Sequence, residues 1–96
     1  MPGASAPAGS PVAPSPLNVV GLSQTQVEGL LGAPAQRANR GPGEAWTYRG
    51  SNCSVQVAFY YDVARNGFFA LSQRAADPAS GEAADCLARI HNVHAS

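Results

Sequence analysis

Two cysteines and two histidines are the residues of this sequence with the most versatile chemistry. Cys53 and Cys86 are its only cysteines, and His91 and His94 lie three residues apart near its end. Two thiolates and two imidazoles can bind zinc, and a thiol beside a histidine can act as a nucleophile. The Cys-x-x-Cys spacing of zinc sites is absent, however, and cysteines oxidised to each other supply no nucleophile. We therefore expect no metal, no cofactor and no catalytic residue, and we expect both histidines to be solvated.

The other charged residues form no catalytic pattern. The carboxylates have no paired spacing within one predicted element, and three of them lie near the beginning of the last helix, where negative charge is stabilising: Asp77, Glu82 and Asp85. The Gly-Pro-Gly turn at 41–43 lacks the lysine and the helix that follow a phosphate-binding loop. A candidate patch for an anionic partner, or alternatively a solvated loop, is formed by Arg37, Arg40 and Arg49.

The composition limits the partners of the chain. Of its 96 residues six are arginines, six are Asp or Glu and none is lysine, so the formal net charge is zero. Because no surplus of cations can neutralise phosphates, we expect no nucleic-acid binding. No apolar run approaches the ~20 residues that span a bilayer, and the start has neither the basic region nor the apolar block of a signal peptide.

Composition predicts a tether at the start of the chain, and capping residues predict where the first helix begins and ends. Residues 1–16 are almost entirely Pro, Ala, Gly and Ser, which predicts a disordered tether followed by a single domain at 17–96. Ser23 and Gln26 form a capping box that starts a short helix. Gly32 ends that helix, and Pro34 prevents its continuation.

A meander and a second helix are predicted after a connector. Residues 35–44 are polar and are predicted to be this connector. Alternating side chains then predict three short-linked antiparallel strands at 45–49, 54–62 and 68–74. Start signals near Asp77 precede a C-terminal helix that packs on the sheet. The predicted fold class is therefore α+β, with a short helix, a three-stranded antiparallel meander and a C-terminal helix in two layers.

This last helix brings the two cysteines together. Cys86 lies in its apolar stripe with Ile90 and Val93, and Cys53 begins the central strand. A helix packed on that strand can place the two Cα atoms within the ~5.5–6 Å that a disulfide needs. We predict a Cys53–Cys86 disulfide and an oxidising compartment; the alternative is a cytosolic chain with two unlinked buried thiols.

The alternation along the strands also separates two faces of the sheet. Trp46 and Tyr48 are expected to face the helices, together with Val57, Phe59 and Leu71. The opposite face is uncovered in a two-layer fold and is expected to carry Thr47, Gln56, Ala58, Tyr60, Phe68 and Ala70. Tyr60 and Phe68 are expected to pair across the strands, and such an exposed aromatic pair is typical of a docking patch. The alternative is that the C-terminal helix or tail covers this face.

Several of these segments together resemble a known family. They are Gly21-Leu22-Ser23, Val27, Leu30-Leu31-Gly32-Ala33-Pro34 and Trp46-Thr47-Tyr48. In this order they resemble the SmpA/OmlA (BamE-like) outer-membrane lipoprotein family, over residues 18–75. The resemblance implies a small α+β domain that is lipid-anchored, faces the periplasm and assists the machinery that inserts β-barrel proteins. Two features depart from the family: no cysteine lies near the start of this chain, and the helix with Cys86 is an addition.

The expected function is that of a non-enzymatic, periplasmic, outer-membrane-associated protein-interaction domain, accessory to β-barrel assembly and envelope integrity. Its partners are expected to be envelope proteins, and a membrane is contacted only through a lipid anchor not present in this chain. The candidate partner-binding residues are Tyr60, Phe68, Gln56, Arg37, Arg40 and Arg49. The alternative is a secreted or periplasmic inhibitor or ligand-binding domain on the same scaffold.

Overall fold

The computed structural model describes residues 16–95. In this part of the chain the elements are α1 (Gln24–Leu31), β1 (Gln36–Arg40), β2 (Gly43–Gly50), β3 (Cys53–Asp62), β4 (Gly67–Ala75), a 3₁₀ turn (Pro78–Ser80) and α2 (Ala83–Ala95). The four strands lie side by side in chain order, and each pairs antiparallel with the next. The α+β class and the meander are confirmed, but the sheet has four strands instead of three. The predicted tether lies outside the described residues, apart from Pro16.

The additional strand is β1, and the prediction of a connector at 35–44 is wrong. β1 pairs with β2, with Arg37 opposite Trp46 and Arg40 opposite Gly43. All five of its side chains are exposed. An edge strand without buried residues lacks the alternation of apolar and polar side chains by which strands are recognised. Gly41, at φ +62°, lies in the turn that joins β1 to β2.

Helix α1 begins and ends where the capping signals place it. The Gln26 amide donates to the Ser23 hydroxyl (3.1 Å) and the Ser23 amide donates to the Gln26 side chain (2.9 Å), which completes the capping box. At the other end, the Gly32 amide donates to the Glu28 carbonyl, and Gly32 has φ +82°. The Tyr48 hydroxyl donates to the Gly32 carbonyl at 2.8 Å, so β2 is joined to the end of α1.

A disulfide joins the sheet to α2, as predicted. Cys53, the first residue of β3, is bonded to Cys86 with 6.0 Å between the Cα atoms. Cys86 is fully buried, and Leu87 and Ile90 extend the same buried face of α2. The helix starts later than the signals near Asp77 suggest, because that aspartate caps the 3₁₀ turn instead.

A β-bulge divides β4 into two parts with opposite alternation. Phe59 pairs with Ala70 whereas Ala58 pairs with Ser72, so Leu71 is an extra residue. Ala70 is 3% exposed and packs in the core, while Leu71 is 59% exposed. The expectation that Leu71 faces the helices and Ala70 the opposite side is therefore wrong. The rest of that expected core is buried: Trp46, Tyr48, Val57 and Phe59.

The segment before α1 lies along the outer edge of β4. The Gly21 amide donates to the Ala70 carbonyl and the Ala70 amide donates to the Leu22 carbonyl, both at 2.8 Å. Val19 is fully buried beside this edge, and its amide donates to the side chain of Gln73. Among the described residues, β1 is thus the edge strand that no other segment borders.

Candidate functional site

The sheet has one face under the helices and one face that no helix of residues 16–95 covers; we call the second the open face. The covered face holds the buried residues Val55, Val57 and Phe59, which are at most 2% exposed. Side chains alternate between the two faces along each strand, and the cross-strand register shows which residues of the four strands face away from the helices. These residues form the open face. They include Ala38, Arg40, Ala45, Thr47, Arg49, Gln56, Ala58, Tyr60, Phe69, Ser72 and Arg74.

Small side chains cross the open face in one row. The row takes one residue from each strand, and Ala45 at its floor is only 4% exposed. It spans three inter-strand spacings, about 14 Å, which is the length of about four extended residues. Its members are Ala38, Ala45, Ala58 and Ser72. Larger side chains border it, with Arg40, Tyr60 and Phe69 on one side and Thr47, Gln56 and Arg74 on the other.

Three arginines of the open face have no charged partner in the described part of the chain. Within residues 16–95, no ion pair or side-chain hydrogen bond involves Arg40, Arg49 or Arg74. The carboxylate on this face in the described strands is Asp62, which is already paired with Arg65. The open face is therefore net positive in a chain whose formal charge is zero. Guanidinium groups bind carboxylates through paired hydrogen bonds, so this charge favours an acidic partner.

The aromatic residues of the open face differ from the predicted pair. Tyr60, 41% exposed, is on this face, but the residue opposite it is Phe69. Phe68 pairs with Tyr61 instead, and the two rings meet edge to face with centroids 5.4 Å apart. Phe68 therefore lies on the covered side and packs against the core. The pairing of Tyr60 with Phe68 that the sequence suggests is not formed.

The predicted arginine patch is divided between the two faces. Arg37 lies on the covered side, where its Nη2 donates to Glu28 at 2.8 Å and its guanidinium lies 4.8 Å from the Trp46 ring centroid. It closes the edge of the core over the tryptophan. Arg40 and Arg49 lie on the open face near opposite ends of β2, about 20 Å apart along the strand direction. The three arginines thus do not form one patch.

A salt bridge orders one end of the open face. The Nε of Arg65, in the β3–β4 turn, donates to Asp62 at 2.9 Å, and its guanidinium lies 3.7 Å from the Phe69 ring centroid. The hydrogen bond from the Arg65 side chain is the main reason that the pKa of Asp62 lies below its usual value near 3.8. The pair fixes the turn next to Phe69, at the aromatic border of the row of small residues.

The cysteines and histidines show no arrangement for chemistry. In the described part of the chain no cysteine is free, and no three His, Cys, Asp or Glu side chains group closely enough to hold a metal ion. The His91 Nδ1 donates to the Leu30 carbonyl at 2.8 Å and joins α2 to α1. His94 is exposed, but His91 is half-buried by its contact with α1, so the expectation that both are solvated is wrong for His91.

Comparisons of the chain with protein-family models, with curated proteins and with solved structures find no match. The motif residues that resemble the SmpA/OmlA family have structural roles: Ser23 caps α1, Gly32 ends it, and Trp46 and Tyr48 are buried in the core. The function of the domain is therefore inferred from its uncovered surfaces.

The open-face residue that sequence patterns miss is chiefly Phe69. It reaches this face because the bulge at Leu71 reverses the alternation that Phe69 and Ala70 would have in a regular strand. Arg74 is not among the predicted site residues, although regular alternation with Phe68 and Ala70 already places it on this face. No local signal in 67–75 marks that bulge. Arg40, by contrast, is among the predicted residues, although its place in a strand is not predicted.

Proposed function

We propose that this chain is a non-enzymatic protein-interaction domain and that the open face of its sheet docks an acidic, extended segment of a partner protein. The observation that carries the proposal is the set of arginines on this face that have no charged partner among residues 16–95: Arg40, Arg49 and Arg74. Of the candidate partner-binding residues, Tyr60, Gln56, Arg40 and Arg49 lie on the open face, whereas Phe68 and Arg37 lie on the covered side; Phe69 and Arg74 are added to the set.

The chemistry of the open face fits a peptide better than a small metabolite. Arginine and aromatic side chains are enriched where proteins meet, and Tyr60 with Phe69 supplies the aromatic contact. Larger side chains border the row of small residues on both sides. Arg40 and Arg74 lie near opposite corners of this row, so a segment of about four residues with a carboxylate at each end meets both guanidiniums.

The compartment proposed for this interaction is the cell envelope. A buried disulfide is consistent with an oxidising extracytoplasmic compartment. No helix within residues 16–95 has the length and hydropathy needed to cross a membrane. The resemblance to the SmpA/OmlA family supports a periplasmic, outer-membrane-associated role, with components of the β-barrel assembly machinery as the partners to test first.

Selection from a displayed peptide library tests the class of partner. The oxidised domain is immobilised and random peptides are selected on it, in parallel with a variant that carries Arg40→Gln and Arg74→Gln. We expect peptides enriched in Asp and Glu on the unaltered domain and a loss of that enrichment on the variant. Equal enrichment on both, or no preference for acidic residues, would refute the assignment of an acidic partner.

Photo-crosslinking tests the envelope assignment. A photoreactive residue at Gln56 on the open face is compared with one at Thr25, which is exposed on α1. In the periplasm of a cell with an outer membrane, Gln56 is expected to give adducts with barrel-assembly components and Thr25 is not. Adducts of equal yield from both positions would argue against docking through the open face, and adducts with unrelated periplasmic proteins would argue against this partner class.

A further inference from the structure

A cleft of about 800 Å³ lies away from the open face, between the end of α1, the β2–β3 turn and the last turns of α2. Its size is within the range of small-molecule sites, which is about 300–1,000 Å³. Its walls combine apolar and basic side chains, among them Leu31, Arg49, Arg89, Ile90, Val93 and His94.

The formally charged residues that line this cleft are arginines. Arg49 and Arg89 both line it, and no Asp or Glu of the described chain does. Neither arginine forms an ion pair within residues 16–95. The apolar part of the wall includes Leu31 and Ile90 at the boundary of the core and Val93, which is 77% exposed. A ligand that matches this wall carries negative charge at one end and an apolar group at the other.

Close packing holds the walls of the cleft in place. A Cβ on Gly50 would lie 3.0 Å from Ile90 and 3.1 Å from the Cys53 sulfur, so α2 approaches the end of β2 closely. The disulfide fixes the same helix to β3, and the hydrogen bond from His91 fixes it to α1. A cleft built by such contacts is preformed, which lowers the conformational cost of binding.

We propose that this cleft binds a carboxylate joined to an apolar group, with the carboxylate at Arg89 and Arg49 and the apolar group against Leu31, Ile90 and Val93. The guanidinium group matches a carboxylate through two parallel hydrogen bonds. Two sources present this chemistry: the C-terminus of a peptide that ends in an apolar residue, and a fatty acid. The site is separate from the open face except at Arg49, which belongs to both.

Four probes distinguish the sources in titrations of the isotope-labelled, oxidised protein by NMR. They are an N-acetylated tripeptide with a C-terminal leucine, the amide of that peptide, decanoate and decanol. We expect saturable shift changes at Ser51, Val93 and His94 with at least one of the two carboxylates and with neither neutral analogue. Saturation by the peptide alone, or by decanoate alone, identifies the source. Equal binding of neutral and charged probes, or no saturation up to about 10 mM, would overturn the proposal.

Matched variants separate a specific site from general attraction of anions. Arg89→Gln is expected to weaken carboxylate binding about tenfold, whereas Arg74→Gln, on the open face, leaves it unchanged. At the exposed position of Val93, Val93→Asp is expected to weaken binding more than Val93→Asn, because only the former adds a negative charge. Equal effects of Arg89→Gln and Arg74→Gln would show that the carboxylate does not bind in this cleft.

Discussion

Tyr60 lies directly opposite Phe69 across β3 and β4, on the face of the sheet that no described helix covers. Arg65 lies over the Phe69 ring and is held there by Asp62, so the aromatic pair borders an ordered turn. Arg40 lies on the same border of the row of small residues as this aromatic pair, and Arg74 lies on the opposite border. Neither arginine forms an ion pair within residues 16–95. The open face thus combines aromatic and cationic groups at fixed places, which is the basis of the docking proposal.

The Arg65–Asp62 pair gives a prediction about pKa. Because the hydrogen bond from Arg65 favours the ionised carboxylate, Arg65→Gln is expected to raise the pKa of Asp62 towards 3.8. A pKa lowered by folding contributes stability above the unfolded value and loses it as the pH falls through the folded value. Titration of the Asp62 carboxyl carbon by NMR measures the shift, with Arg74→Gln as the control. An unchanged pKa in Arg65→Gln would mean that Arg65 does not cause the lowering.

The disulfide is expected to contribute a large share of the stability of this small domain. Cys53 and Cys86 are separated by 33 residues, and closing a loop of that length stabilises by about 3–4 kcal/mol in the chain-entropy model. The double variant Cys53→Ala, Cys86→Ala is expected to lose at least this much free energy of unfolding in urea. An equal urea midpoint for both proteins under non-reducing conditions would count against the prediction.

The buried hydroxyl of Tyr48 gives a prediction at alkaline pH. Burial raises the pKa of Tyr48 well above its usual value of 10, the charge of Glu28 raises it further, and Arg37 opposes both. A raised pKa in the folded state means that the stabilising contribution is complete below pH 10 and is lost as the pH rises through the folded value.

Tyr48→Phe tests this contribution because it removes the hydrogen bond to the Gly32 carbonyl. The variant is expected to be less stable by about 1 kcal/mol at neutral pH. This difference should stay constant up to about pH 10 and shrink above it, as measured by urea unfolding. A difference that is absent at neutral pH, or that grows at alkaline pH, would contradict the assigned role of the hydroxyl.

Substitution of glycine by alanine is expected to have opposite effects on stability at two positions, 43 and 29. A Cβ on Gly43 would overlap the carbonyl oxygen of Phe59, which is part of the neighbouring strand. Gly43→Ala is therefore expected to destabilise the sheet by about 1–3 kcal/mol. At Gly29, inside α1, no atom of the described residues lies within 4 Å of such a Cβ, and Gly29→Ala is expected to stabilise by about 0.5–1 kcal/mol. Thermal unfolding compares both variants; a stable Gly43→Ala protein would mean that β2 and β3 approach each other less closely.

Helix α1 and strand β3 are predictable because short stretches of their own sequence determine them. The capping box at Ser23 and Gln26 is complete within four residues, and the alternation in 54–62 directly reflects burial of every second side chain. The disulfide is also predictable, because only two cysteines exist and each lies on an apolar element face.

The features that the sequence does not predict depend on neighbouring strands. β1 has no buried residue, so its strand conformation comes from its hydrogen bonds to β2 and leaves no pattern in its side chains. The bulge at Leu71 depends on how β4 pairs with β3, and this one residue decides that Phe69, and not Phe68, shares a face with Tyr60 and Arg74. The candidate site is therefore only partly predictable from the sequence.

The most direct test of the central proposal is an NMR titration of the oxidised domain with an acidic peptide enriched by the library selection. Docking at the open face predicts saturable shift changes at Thr47, Gln56, Ala58 and Tyr60, no changes in α2, and loss of binding when Arg40→Gln and Arg74→Gln are combined. Arg89→Gln, which removes a positive charge elsewhere, should bind the peptide normally. Shift changes confined to the helices, or equal loss of binding in Arg89→Gln, would contradict docking at the open face.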